Sequence, residues 1–110
     1  MKFKITATFR KSLKKISKRH KSIKEELIQL TNVLTSNPEA GIPLGSQLYK
    51  IRLRISKSSI GKRGGYRVIY YLKLSDDLIV YIDIYSKSEK ETIPILEIKK
   101  ILLDNNLLDL

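Results

Sequence analysis

The sequence predicts an α+β domain in which an antiparallel β-sheet carries an αα-hairpin packed on one face, in the order β-α-α-β-β-β-α. Three observations predict it. Apolar residues recur at helical spacing through the first third of the chain. They then alternate with other residues in three closely spaced runs between positions 49 and 84, and helical spacing returns after Pro94. The length of 110 residues suits one domain, over 1–110, with a core that needs no disulfide or metal.

Taken in order, Phe3, Ile5 and Ala7 alternate with Lys2, Lys4 and Thr6, the pattern of a short strand. Phe9, Leu13 and Ile16 follow at i, i+4 and i+7, while Arg10, Lys11, Lys14, Lys15 and Lys18 point away from that stripe. Ile23, Leu27, Leu30 and Leu34 form a second amphipathic helix. It stops before Asn37-Pro38, because proline has no N–H to continue the ladder. A turn near Arg19-His20 joins the two helices. This pair resembles a DNA-reading helix-turn-helix, but the three strands that follow argue against that. Gly41, Pro43 and Gly45 mark a loop. Tyr49, Ile51, Leu53 and Ile55 then share one strand face and Lys50, Arg52 and Arg54 the other. A basic loop, 56–65, leads to Tyr66, Val68, Tyr70, Leu72 and Leu74, and Asp76-Asp77 leads to Leu78, Val80, Ile82 and Ile84. Short connections favour an antiparallel meander over parallel crossovers. Pro94, Ile95, Ile98, Ile101 and Leu102 predict a last helix over about 94–103.

Charge is the first sign of function. Residues 1–24 hold ten bases and no acid, and residues 40–75 hold eight bases and no acid. From Asp76 onward eight acids face four lysines, so residues 1–75 carry +15 and the remainder −4, giving the net +11. Such an excess favours polyanions through counterion release and steering, with nucleic acid as the expected target and mere solubility as the plainer alternative. No apolar run reaches the length of a membrane span, and no signal-peptide core is present, so a soluble, cytoplasmic protein is expected. The absence of cysteine excludes a thiol nucleophile and a zinc finger, and a single histidine, His20, removes catalysis by paired imidazoles. No metal or other cofactor is expected. The 61–65 run Gly-Lys-Arg-Gly-Gly lacks the spacing and following helix of a phosphate-cradling P-loop.

Register follows from burial. If Val68, Tyr70 and Leu72 lie under the helices together with Val80, Ile82 and Ile84, even residues pair with even, which calls for an odd loop such as Ser75-Asp76-Asp77. Arg67 then stands opposite Tyr85. Lys50, Arg52 and Arg54 share its side, along with Ile69, Tyr71 and Asp83, on the open face of the sheet. Same-face side chains sit about 7 Å apart along a strand, so this row can track a phosphate backbone, with tyrosines as stacking platforms. The competing reading of Arg67 is an ion pair with Asp83. Tyr66 and Tyr70 read as core, and His20 as surface.

Three runs carry a family resemblance: Tyr49-Lys50-Ile51-Arg52-Leu53, then 61–71 (Gly-Lys-Arg-Gly-Gly-Tyr-Arg-Val-Ile-Tyr-Tyr), then Ile84-Tyr85-Ser86-Lys87-Ser88-Glu89-Lys90. Together they resemble the RelE/HigB superfamily of type II toxin–antitoxin toxins, with the glycine-rich loop similar to the HigB-like branch. The resemblance implies a RelE-like fold and an mRNA interferase that cuts message on the ribosome. It implies attack of an RNA 2′-hydroxyl on the adjacent phosphate, with Lys50, Arg52 and Arg67 at the positions of the family's strand-borne bases. Arg52 and Arg67 suit the phosphorane charge, since guanidinium forks onto phosphate oxygens. Lys50 suits the proton acceptor if neighbouring cations disfavour its charged form, and Tyr85 or Lys87 suits the donor to the leaving oxygen. Ser88 and Pro94 stand where ribosome-dependent members carry arginine and tyrosine, so the acid stays open between Tyr85 and Lys87. Arg54, Lys62, Arg63 and Tyr71 are expected to hold RNA. The implied partners are mRNA, the ribosome and a cognate antitoxin. Two alternatives remain: a ParE-like toxin that inhibits DNA gyrase, and a non-catalytic basic RNA-binding module.

Overall fold

The computed structural model describes residues 1–53, 65–86 and 94–104. Five strands form one sheet: β1 (Lys2–Ile5), β2 (Ile42–Gly45), β3 (Leu48–Leu53), β4 (Tyr66–Lys73) and β5 (Leu78–Ser86), in the spatial order β1-β5-β4-β3-β2. Helices α1 (Ala7–Arg19) and α2 (Ile23–Ser36) follow β1, and α3 (Ile95–Asp104) follows β5. The α+β architecture, the helical hairpin and the antiparallel meander β3-β4-β5 are as the sequence predicts. No helix among the described residues is long and apolar enough to cross a membrane.

Two details differ. β1 runs parallel to β5, so the sheet is mixed. Residues 42–45, expected as loop, form the edge strand β2, paired antiparallel with β3 and irregular between Pro43 and Gly45. An edge tolerates proline because one side of the strand needs no ladder partner. Its turn into β3 uses left-handed backbone at Gly45, Ser46 and Gln47 (φ 90°, 53° and 66°).

Thr6 ends β1 and starts α1. Its hydroxyl accepts from the Phe9 N–H at 3.0 Å, which satisfies one orphan donor of the first helical turn, and donates to the Ile82 carbonyl at 2.7 Å. The cap therefore also ties the helix to β5. α2 stops at Ser36, two residues before Pro38, as predicted.

The loop between β4 and β5 has four residues rather than the expected three: a single 3₁₀ turn, Leu74–Asp76, then Asp77 in left-handed backbone. A four-residue loop reverses the expected parity, and the pairs Tyr70–Tyr81, Leu72–Ile79 and Lys73–Leu78 show it. A β-bulge then intervenes. Ile69 pairs with Asp83, so Ile82 is an extra residue in β5, and beyond it Arg67 lies opposite Tyr85 after all. Ile79 and Tyr81, not Val80 and Ile82, thus join Val68, Tyr70, Leu72 and Ile84 in the core beneath α1 and α2. Leu74, expected in that core, is exposed in the turn.

Ile82 belongs to a second core on the other side, where Ile98, Ile101 and Leu102 of α3 pack with Leu48, Ile69 and Tyr85. Each such aliphatic side chain contributes roughly 1.5–3 kcal/mol. The sheet is thereby covered on both faces, with the α3 side only partly closed.

Tyr81 stacks on Phe9 at 5.3 Å, and its hydroxyl shares a 2.7 Å hydrogen bond with Thr31 of α2. Burial pushes its pKa from 10.0 up to about 12, against the lowering effect of Thr31. The folded chain thus favours the neutral phenol. That contribution is complete below pH 10 and is lost as pH rises to 12, a change of roughly 2–3 kcal/mol. Urea titrations across this window should show stability falling faster with pH in the native chain than in Tyr81→Phe; parallel slopes would refute the assignment.

Candidate functional site

On β3, Tyr49, Ile51 and Leu53 turn towards α1 and α2, which sends Lys50 and Arg52 to the other side of the sheet. Arg67 joins them from β4, between Tyr66 and Val68 of the same core. The ladder places Arg52 directly opposite Arg67, and Arg67 opposite Tyr85. Lys50, Arg52 and Arg67, with Ile42 of β2, line a cleft of about 340 Å³. Ile42 pairs with Lys50 and stays largely exposed, so the edge strand missed in the sequence forms one wall. Arg52 is exposed, whereas Lys50 and Arg67 are half-buried.

Like charges directly across an antiparallel pair destabilise a sheet. The cross-strand Arg52–Arg67 pair thus places two cations side by side on this face of the sheet.

The rest of the predicted open face is less open. Ile69 and Tyr85 are buried beneath α3, Tyr85 at 2% exposure, and Tyr71 is half-buried against the same cluster. Burial pushes the Tyr85 phenol above its ordinary value; the Arg67 charge lowers it and Asp83 raises it. Tyr85 thus keeps its proton at neutral pH beside Arg67, but it is buried in the α3 core. Asp83 is buried as well, accepting from the Ser12 hydroxyl of α1 at 2.7 Å and from the Ile84 N–H at 2.8 Å. Ser12, which no periodicity singled out, therefore links α1 to the strand that carries Tyr85. Arg54, Lys62, Arg63 and Lys87 lie outside the described residues. His20, expected at the surface, is half-buried with its ring edge-on to Tyr66 at 5.7 Å. Among the described residues, no group of three His, Cys, Asp or Glu is placed to hold a metal ion.

The segment before β2 is held from behind. The Tyr70 hydroxyl donates to the Pro38 carbonyl at 2.7 Å and accepts from the Gly41 N–H at 3.1 Å, and its ring stacks on Tyr49 at 5.2 Å. A Cβ on Gly41 would lie 3.0 Å from both the Lys50 carbonyl and the Tyr70 hydroxyl. Any larger residue at position 41 would crowd the Lys50 backbone and the Tyr70 hydroxyl.

The family model described as ParE toxin of the type II toxin–antitoxin system, parDE, matches residues 3–98. The chain belongs to this ParE toxin family. Among solved structures it is similar to a double mutant of the E. coli toxin RelE in the free state, at 20% identity and a TM-score of 0.59, over 94% of this chain and 95% of that one. That likeness shows a shared fold. No curated protein matches. Membership in the ParE toxin family makes the chain a type II toxin with the RelE/ParE fold and implies a cognate antitoxin as its partner.

Two substitutions test how the cleft of this ParE-family chain is built. Gly41→Ala should lower unfolding free energy by about 1–3 kcal/mol in denaturant titrations, because backbone and a buried hydroxyl must give way. Arg52→Ala, at an exposed position, should stay within about 0.5 kcal/mol of the native chain. A globally unfolded Arg52→Ala would contradict the placement of that guanidinium on the open side.

Proposed function

We propose that this toxin is an endoribonuclease, an mRNA interferase that arrests translation by cutting message on the ribosome. The observation that carries the reading is the convergence of Lys50, Arg52 and Arg67 on one cleft, with Arg52 and Arg67 paired across the ladder. In-line attack of an RNA 2′-oxygen on the adjacent phosphorus forms the new P–O bond as the bond to the 5′-oxygen breaks. The products are a 2′,3′-cyclic phosphate and a free 5′-hydroxyl. Negative charge builds on the non-bridging oxygens, and two fixed cations beside them stabilise it more in the transition state than in the ground state. Lys50, in its neutral amine form, takes the 2′-hydroxyl proton. Tyr85 or Lys87 returns one to the 5′-oxygen; Tyr85 has the retained proton and the neighbouring Arg67, but donates only once α3 uncovers it. Arg54, Lys62, Arg63 and Tyr71 hold the flanking RNA.

A second reading, inhibition of DNA gyrase without nuclease chemistry, is favoured by the description of the matching family as parDE toxins. A single experiment separates the two. On induction in bacteria, mapped RNA ends should fall within translated codons, and a folded Arg67→Ala variant should lose at least about 100-fold in cutting. Double-strand DNA breaks without RNA cuts would instead establish the gyrase reading, and an Arg67→Ala variant that cuts normally would remove Arg67 from the chemistry.

A further inference from the structure

The basic stretch at the head of the chain plays no part in the cleft. α1 buries Phe9 and Ile16 in the core beneath the hairpin and leaves Arg10, Lys11, Lys14, Lys15, Lys18 and Arg19 exposed on its outer side. Lys50, Arg52 and Arg67 alternate with residues that face that same core, so they stand on the other side of the sheet. The sheet separates two cationic surfaces.

Nothing described offsets the outer one. No acid occurs in residues 1–24, and among the described residues none of the α1 cations takes part in an ion pair. Arg10, Lys14 and Lys18 succeed one another at i, i+4, and so do Lys11, Lys15 and Arg19. Like charges at that spacing repel and weaken a helix. Solubility alone is better served by mixed signs. Successive charges in each row lie about 6 Å apart along the axis, so a phosphate backbone running beside the helix meets a cation at every turn.

The outer side also lacks rings. Phe9 is fully buried, and the aromatic partner of half-buried His20 is Tyr66. Surfaces that read unpaired bases use aromatic platforms. Charge without rings suits the backbone of a double helix, which is recognised by shape and phosphate.

We propose that the outer side of α1 is a second RNA-binding surface, which grips the backbone of double-helical RNA while the opposite cleft takes the strand to be cut. The choice of RNA over DNA rests on the nuclease reading; the existence of a second polyanion surface does not.

The test uses the full chain and a labelled RNA hairpin of about 16 base pairs, with anisotropy read over a salt series. Lys11→Gln/Lys14→Gln/Lys15→Gln/Lys18→Gln should bind at least about tenfold more weakly, with a log–log salt slope shallower by about 3. Its melting temperature should equal or exceed that of the native chain, since repulsion is relieved, which separates lost binding from lost fold. Arg52→Ala/Arg67→Ala should hold the hairpin within about threefold of the native affinity. The proposal is overturned if the quadruple variant keeps native affinity, or if the cleft variant is the one that loses the hairpin. It is also overturned if a DNA duplex of equal length, or polyglutamate as a stand-in for an acidic protein segment, occupies α1 as tightly as the RNA. RNA-end mapping is scored separately: hairpin binding lost through α1 in a chain that cuts no RNA upholds the second surface and removes the nuclease reading.

Discussion

The pairing of β4 with β5 constrains everything else, because it is central in the sheet and its register decides which side chains meet which helices. One residue does the switching. Up to Tyr81 the odd-numbered side chains of β5 face α1 and α2; past Ile82 that side passes to Ile84, and Tyr85 turns towards α3. A four-residue turn without the bulge would set Ile84 opposite Arg67 and drive the Tyr85 phenol beneath the hairpin. The bulge is secured from outside the meander, since the Ile82 carbonyl accepts the hydroxyl of Thr6, the residue that caps α1. Helix start, strand irregularity and the surroundings of Arg67 are one linked arrangement.

Much of this was legible in the sequence because period two and period 3.6 are strong signals where one face is buried. The hairpin, the meander and the sidedness of Lys50, Arg52 and Arg67 follow from alternation alone. The Arg67–Tyr85 pair was also foreseen, but through a three-residue loop that does not exist; a longer turn and a bulge cancel, and parity cannot distinguish the two routes. β2 was hidden because Ile42-Pro43-Leu44-Gly45 is short and punctuated by turn formers, and only pairing to β3 makes it a strand. The parallel contact of β1 with β5 is equally silent in sequence, since it joins segments more than seventy residues apart. The role of α3 was missed for another reason. Its apolar stripe predicts a helix but not which face of the sheet it covers, and that choice buries Tyr85 and Ile69.

The cover from α3 bears on the chemistry. Arg52 and half-buried Arg67 are reachable from solvent at one end of the face, while Tyr85 lies beneath the helix. Charge stabilisation and proton donation are therefore not equally available. In the proposed reaction a phosphate could meet the guanidinium groups with α3 in place, whereas a proton from Tyr85 would reach a leaving oxygen only if α3 moved aside. Half burial also strengthens what Arg67 can do, since a cation partly withdrawn from water acts in a lower effective dielectric.

The two readings of the cleft make different demands on its charges. A surface that only docks on another protein makes no special use of two arginines on paired strands, since charge complementarity there serves register and encounter more than chemistry. A transferring phosphate is different. It brings non-bridging oxygens whose charge grows as the phosphorane forms, and these can engage two forks from opposite strands at once. Contacts that strengthen as this charge grows favour the transition state over the ground state, which is the only kind of binding that accelerates a reaction. The placing of Arg52 and Arg67 opposite each other is therefore what the proposed phosphoryl chemistry would use and what docking alone would leave idle.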